Sequence, residues 1–192
     1  SMTQGVVYQD ASGYFLSANP AAENMLGTPL EQLRGHIPED FGRQVMREDG
    51  SKFSWDALPY AVALKTGKPV RGAVLGIAPP EDGDFVWLRV DAIPEFEQGK
   101  DTPSRVVSIF EDISDRRKAQ EQFEKFFNLS ADMMGIASPD GTFQRVNPAF
   151  EKALGFTASE IRELGWANLV HPDDVESTRL EMERSLRTKS TL

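Results

Sequence analysis

The 192-residue chain carries 30 acidic and 21 basic residues, a net charge of -9, 40% hydrophobic residues and no cysteine. The acidic balance disfavours nucleic acid or an anionic membrane surface as a direct partner, and the missing thiols exclude disulfides, thiolate metal sites, cysteine nucleophiles and a cysteinyl-flavin adduct. No apolar run approaches the roughly 18 residues that cross a membrane and no secretory pattern opens the chain, so a cytoplasmic location is expected.

From the N-terminus, residues 6–10 and 14–18 read as two short strands, with Ser12-Gly13 supplying the positive φ of a tight hairpin turn. Asn19 follows as a helix N-cap and Pro20 takes the first helical position, where a missing N–H costs nothing. Gly27 stops the helix after two turns as a left-handed C-cap. Short polar helical pieces at residues 29–33 and a loop holding His36 lead to a predicted helix over residues 55–65. That helix has Leu58, Val62 and Leu64 partly on one face and Gly67 as its stop. Strands are predicted over residues 70–77, 84–93 and 104–113, with Asp82-Gly83 turning the first pair and residues 98–101 the next. Two strands, helices, then three strands is an α+β order with a five-stranded antiparallel sheet flanked by helices.

The opening pattern then returns. DASGYFLSANPAAENMLG (residues 10–27) and SPDGTFQRVNPAFEKALG (residues 138–155) match without gaps at eight of eighteen positions, Gly13/Gly141, Phe15/Phe143, Asn19/Asn147, Pro20/Pro148, Ala21/Ala149, Glu23/Glu151, Leu26/Leu154 and Gly27/Gly155, each pair 128 apart. Two copies of one module are implied. Between them, residues 114–127 contain helix formers with no glycine or proline and an apolar stripe at Ala119, Phe123, Phe126 and Phe127. That stripe fits a parallel two-chain helix joining modules in a dimer, and equally one amphipathic segment packed on its own domain.

ALKTGKPVRGAVLGIAPPEDGDFVWLRVDAIPEF followed by VVSIFEDISDRRKAQEQ resembles the second half of a bacterial PAS domain running into its DIT-type exit motif. FFNLSADMMGIASPDGTFQRVNPAFEKALGFTASEI with LVHPDD is similar to the opening of another PAS domain, of a subtype found in tandem in sensor histidine kinases. The resemblance implies a first PAS domain over residues 4–114, a signalling helix over 115–129 and the N-terminal half of a second PAS domain over 130–192. It also implies a signal-transmission motif at Asp112, Ile113, Ser114 and Arg116, with serine where threonine is usual. The second copy lacks its last three strands, so poor order is expected of it unless something covers its hairpin. The opening Ser1 reads as a vector remnant, and the chain as part of a larger protein.

By the family's geometry the alternation of the last two strands turns Leu88, Val90, Ser108 and Phe110 toward the helices, where they would line an apolar pocket with Trp55, Leu58 and Val62. Those inward positions offer no amide, which disfavours a non-covalent flavin and leaves the cofactor unknown. The opposite face presents Trp87, Val107 and Ile109, and with Phe123 it is expected to be covered by a flanking helix or a second copy in a homodimer. His36 as a haem ligand is outweighed by a plain loop histidine, and His171 with Asp173 by a capping arrangement with Glu176. No phosphate loop, nucleophile elbow or metal cluster is read, so these residues are expected to catalyse nothing. Three classes of function follow: a ligand-sensing region of a histidine kinase or a cyclic-dinucleotide enzyme, a self-filled dimerisation module, and an enzyme domain, the last without a catalytic constellation.

Overall fold

The computed structural model describes residues 4–81, 83–138 and 140–189, so Asp82 of the expected Asp82-Gly83 turn lies outside the described residues. The chain forms two compact units, Ser1–Lys118 and Ala119–Leu192.

In the first unit β1 (Gly5–Asp10), β2 (Phe15–Ala18), β3 (Val45–Met46), β4 (Val70–Ile77), β5 (Val86–Phe96) and β6 (Pro103–Asp112) form one antiparallel sheet in the order β2-β1-β6-β5-β4-β3. The five expected strands are joined by the two-residue β3 at one edge. Helices α1 (Pro20–Leu26), α2 (Leu30–Leu33) and α3 (Pro59–Thr66) follow β2 and precede β4. The predicted helix over residues 55–65 is shorter than expected, because Pro59 drives Leu58 out of the helical region to φ -64 and ψ 146. Residues Trp55–Ala57 form a separate 3-10 turn, and Pro59 becomes the first residue of α3. Strand β5 runs through Pro94 because β4 pairs no further along it than Ala92, leaving one edge of β5 open where proline is tolerated.

Alternation decides the two sheet faces. Val7, Leu75, Leu88, Val90 and Phe110 are buried in one cluster with Phe15, Ala22, Leu33 and Leu58 from the other elements. On the opposite face Val6 pairs with Ile109 and Tyr8 with Val107, and Arg105 lies over the Tyr8 ring while holding Glu95.

The second unit contains β7 (Gly135–Ala137), β8 (Phe143–Val146), α5 (Pro148–Leu154), α6 (Ala158–Leu164) and α7 (Val175–Lys189). Helix α4 (Ser114–Leu129) begins in the first unit and ends in the second. This half, for which poor order is expected unless another chain or the first domain covers it, has a small centre in which Phe127 from α4, Ile161 and Asn147 are at most 2% exposed. The Phe127 ring stacks on Phe123 at 5.7 Å and is capped by Arg145, whose guanidinium holds Glu124 at 2.7 Å. That bond and its charge hold the Glu124 carboxyl below its usual pKa. The capping at residues 171–176 also differs from expectation. His171 caps a 3-10 turn at Pro172–Asp174 and α7 starts at Val175, while the capping box of this unit is Thr157 with Glu160.

The repeat extends to hydrogen bonds. Asn19 Oδ1 accepts from Ala22 N–H and from Val6 N–H, both at 2.9 Å, and its amide donates to Gln4 O at 3.0 Å. Asn147 does the same 128 residues later, accepting from Phe150 at 3.4 Å and Met134 at 3.0 Å and donating to Asp132 O at 2.9 Å. Glu23 accepts from Leu30 N–H at 2.5 Å and Glu151 from Ala158 N–H at 2.6 Å, so each glutamate caps the helix after its own. The irregular register between Tyr8 and Gln9 recurs between Ile136 and Ala137. No described helix is long and apolar enough to cross a membrane.

Candidate functional site

In the first unit the inner sheet face and the segments around α1 to α3 leave a cavity of about 100 Å³. The sheet contributes Gln9, Leu75, Ile77, Val90, Ser108 and Phe110, and the opposite wall includes Phe15, Phe41, Arg43, Trp55, Leu58 and Tyr60. An engineered cavity of ~150 Å³ in another protein takes up benzene, so the space here suits a group of comparable or slightly smaller size.

Five of the seven residues expected around a pocket are on this wall: Trp55, Leu58, Val90, Ser108 and Phe110. The other two are not. Leu88 is fully buried within the packed cluster, and Val62 is half-buried on α3 away from the cavity. Three polar members of the wall were not anticipated. Gln9, 2% exposed, donates from its amide to Gly13 O at 2.8 Å. The alternation of β1, which puts Val7 inside, puts Gln9 inside as well, so parity applied to that strand would have found it. An amide is therefore present, which removes one of the grounds on which flavin was disfavoured. Arg43 donates to Leu26 O and Thr28 Oγ across the turn after α1 and has no periodic signal to betray it. Tyr60 donates to Glu39, and burial beside that carboxylate pushes its phenol above the usual pKa. His36 is outside this wall, 3.3 Å from Asp40 and edge-on to Phe41.

The strands that line the cavity also hold the root of α4. Trp87, three residues before Val90 on β5, donates its N–H to Ser114 Oγ at 2.9 Å and accepts from Ile113 N–H at 2.8 Å. Asp112 Oδ1 accepts from Ser114 N–H at 2.8 Å, and Ile113 is 4% exposed. The serine of the exit motif thus keeps the hydroxyl's role. The arginine does not sit where expected: Arg116 is exposed, and the contact belongs to Arg117. Its guanidinium lies 4.1 Å from the Trp87 ring centre and holds Glu48 at 2.6 Å. The other side of the indole rests on Gly76, where a Cβ would come within 3.2 Å of the ring. Trp87 is consequently covered by its own chain. Val107 is 9% exposed, Ile109 is half-buried on the same outer face, and Phe123, 39% exposed, stacks within the second unit.

Residues 3–115 match a family model described as a PAS domain, and residues 143–192 match a second described as a PAS fold. The whole chain is 25% identical over 199 aligned residues to an uncharacterized protein, y4lL, of Sinorhizobium fredii, and spans 23% of that relative's length. Among solved structures it is similar to the PAS domain of a protein from Colwellia psychrerythraea, at 18% identity and TM-score 0.45 over 60% of this chain and 90% of that one. It is also similar to the PAS domain of nitrogen regulation protein NR(II) from Vibrio parahaemolyticus, at 16% identity and TM-score 0.43 over 59% and 92%. With a PAS domain model matching well over half of its length, a curled antiparallel sheet and flanking helices, the chain belongs to the PAS family of sensory domains.

Proposed function

We propose that the first module, residues 4–114, senses a small, largely apolar ligand and passes its occupancy through the helix at 115–129 to a further domain outside these residues. The observation that carries this reading is the double duty of β5 and β6. Val90, Ser108 and Phe110 face the cavity, and the same two strands hold α4 through Trp87, Ile113 and Ser114. A shift of either strand around a ligand changes bonds at the root of the helix, which is how a local packing event becomes a change in helix position. Catalysis belongs to the output domain in this account, and the resemblance of the tandem modules to those of sensor histidine kinases favours a kinase. A second copy or a flanking helix is placed on the outer sheet face, where Val6, Tyr8, Ile93 and Ile109 are half-exposed.

Native mass spectrometry of the freshly purified chain tests the ligand. A mass excess that disappears on denaturation is the expected result. A bare chain that also takes up no small apolar molecule at millimolar concentration would favour a self-filled dimerisation module and end the sensing account.

A further inference from the structure

The polar groups of the cavity define what it would hold. Ser108, 2% exposed, brings a hydroxyl-bearing side chain to the cavity wall. A hydroxyl in such a place costs about 1–3 kcal/mol when it meets neither protein nor ligand. Gln9, equally buried, makes one side-chain hydrogen bond, through its N–H to Gly13 O. Among the described residues Arg43 is the only cation on the wall. Its guanidinium has five N–H donors. One goes to Leu26 O and one to Thr28 Oγ, with the Phe41 ring centre 5.8 Å away, and among the described residues no carboxylate is paired with it. Burial alone acts on its charge and disfavours it. The acidic residue closest in role, Glu39, is engaged by the Tyr60 phenol.

Resting on the sensing role argued above, we propose that the ligand is a small apolar carboxylic acid, bound as its carboxylate by Arg43 with its hydrocarbon part among Leu75, Val90 and Phe110. A planar guanidinium fork matches a carboxylate, and one cation balances one negative charge. A phosphate dianion would need a second cation, which the wall lacks, and an amine would meet the arginine as a like charge. The cavity size limits the apolar part to about a benzene ring or a short alkyl chain. Ser108 is the remaining donor for the acid or for a substituent it carries.

The test uses the full 192-residue chain in calorimetric titration with sodium benzoate and with benzyl alcohol, probes of similar shape that differ in charge. Benzoate is expected to bind at least ~10-fold more tightly, the range of one charge-assisted contact. Arg43→Gln should erase that preference and leave benzyl alcohol within about 2-fold of its original affinity, while Arg43→Lys, which keeps the charge without the fork, should retain part of it. Circular dichroism melts of both variants report folding, and the wild-type comparison stands without them. Equal binding of acid and alcohol by the wild-type chain, or an acid preference that survives Arg43→Gln, would overturn the carboxylate proposal and leave the sensing role intact. Binding of neither probe by a chain that native mass spectrometry finds bare would overturn both.

Discussion

Asn147→Ala is expected to destabilise the second unit by about 3–5 kcal/mol. The residue is fully buried and holds four backbone groups, Met134 N–H, Phe150 N–H, Phe127 O and Asp132 O. Alanine removes this partner from Met134 N–H, Phe127 O and Asp132 O at a site that water reaches poorly, while Phe150 N–H keeps the Asn147 carbonyl at 3.0 Å, and each such group costs about 1–3 kcal/mol less whatever relaxation restores. Capping alone would predict only about 1 kcal/mol. The excess is the contribution of the tether that ties α5 to the segment before β7 and to the end of α4. Asn19→Ala, at the half-exposed equivalent in the first unit, loses three partners and is expected to cost about 1–2 kcal/mol. Hydrogen exchange reports the two sites separately. The Met134 amide should lose most of its protection in Asn147→Ala, and the Val6 and Ala22 amides should keep theirs.

Leu88→Ala is expected to cost about 3–4 kcal/mol in the first unit, read from urea unfolding. Leu88 is fully buried, pairs across β4 with Leu75 and belongs to the packed cluster beside the cavity. The distinction between core and cavity wall sets the size of this effect. If Leu88 lined open space, truncation would enlarge that space at small cost. Inside a packed cluster it creates a void whose neighbours collapse only partly, and the penalty rises with the volume left. Val90→Ala, at a position that already faces the cavity, should cost about half as much or less.

The parts of this fold that were legible in the sequence are those whose cause is local. Asn19 and Asn147 cap helices, and Gly13, Gly141, Gly27 and Gly155 all have positive φ, between 59° and 88°, because the turn and cap geometries demand it. Strand parity sorted Val90, Ser108 and Phe110 from Val107 and Ile109 because side chains alternate with a period of two. The non-local causes were not legible. That Gly141 must also leave room for the Trp166 indole, 2.5 Å from a Cβ placed there, depends on a contact that spacing does not encode. Glu23 and Glu151 stood out in the repeat, yet their partners are amides seven residues away in the next helix. Arg43 enters the cavity from a loop, and Arg117 rather than Arg116 reaches Trp87 because the helix sets the angular position of each residue once Ser114 begins it. Pro59 was readable as a boundary, since the residue before proline avoids helical geometry.

The most direct test of the coupling is hydrogen exchange on a chain whose cavity is filled by its own residue, Val90→Phe, compared with the unaltered protein. The probes are the amides of Trp87, Ile113 and Arg117, which donate to Ser114 Oγ, Trp87 O and Ile113 O. If the cavity and the root of α4 are two ends of one device, protection at these three amides changes by about 10-fold, a shift of ~1.4 kcal/mol, while the β1 amides Val6 and Tyr8 exchange as before. A filled cavity that leaves all three amides unchanged would contradict the account.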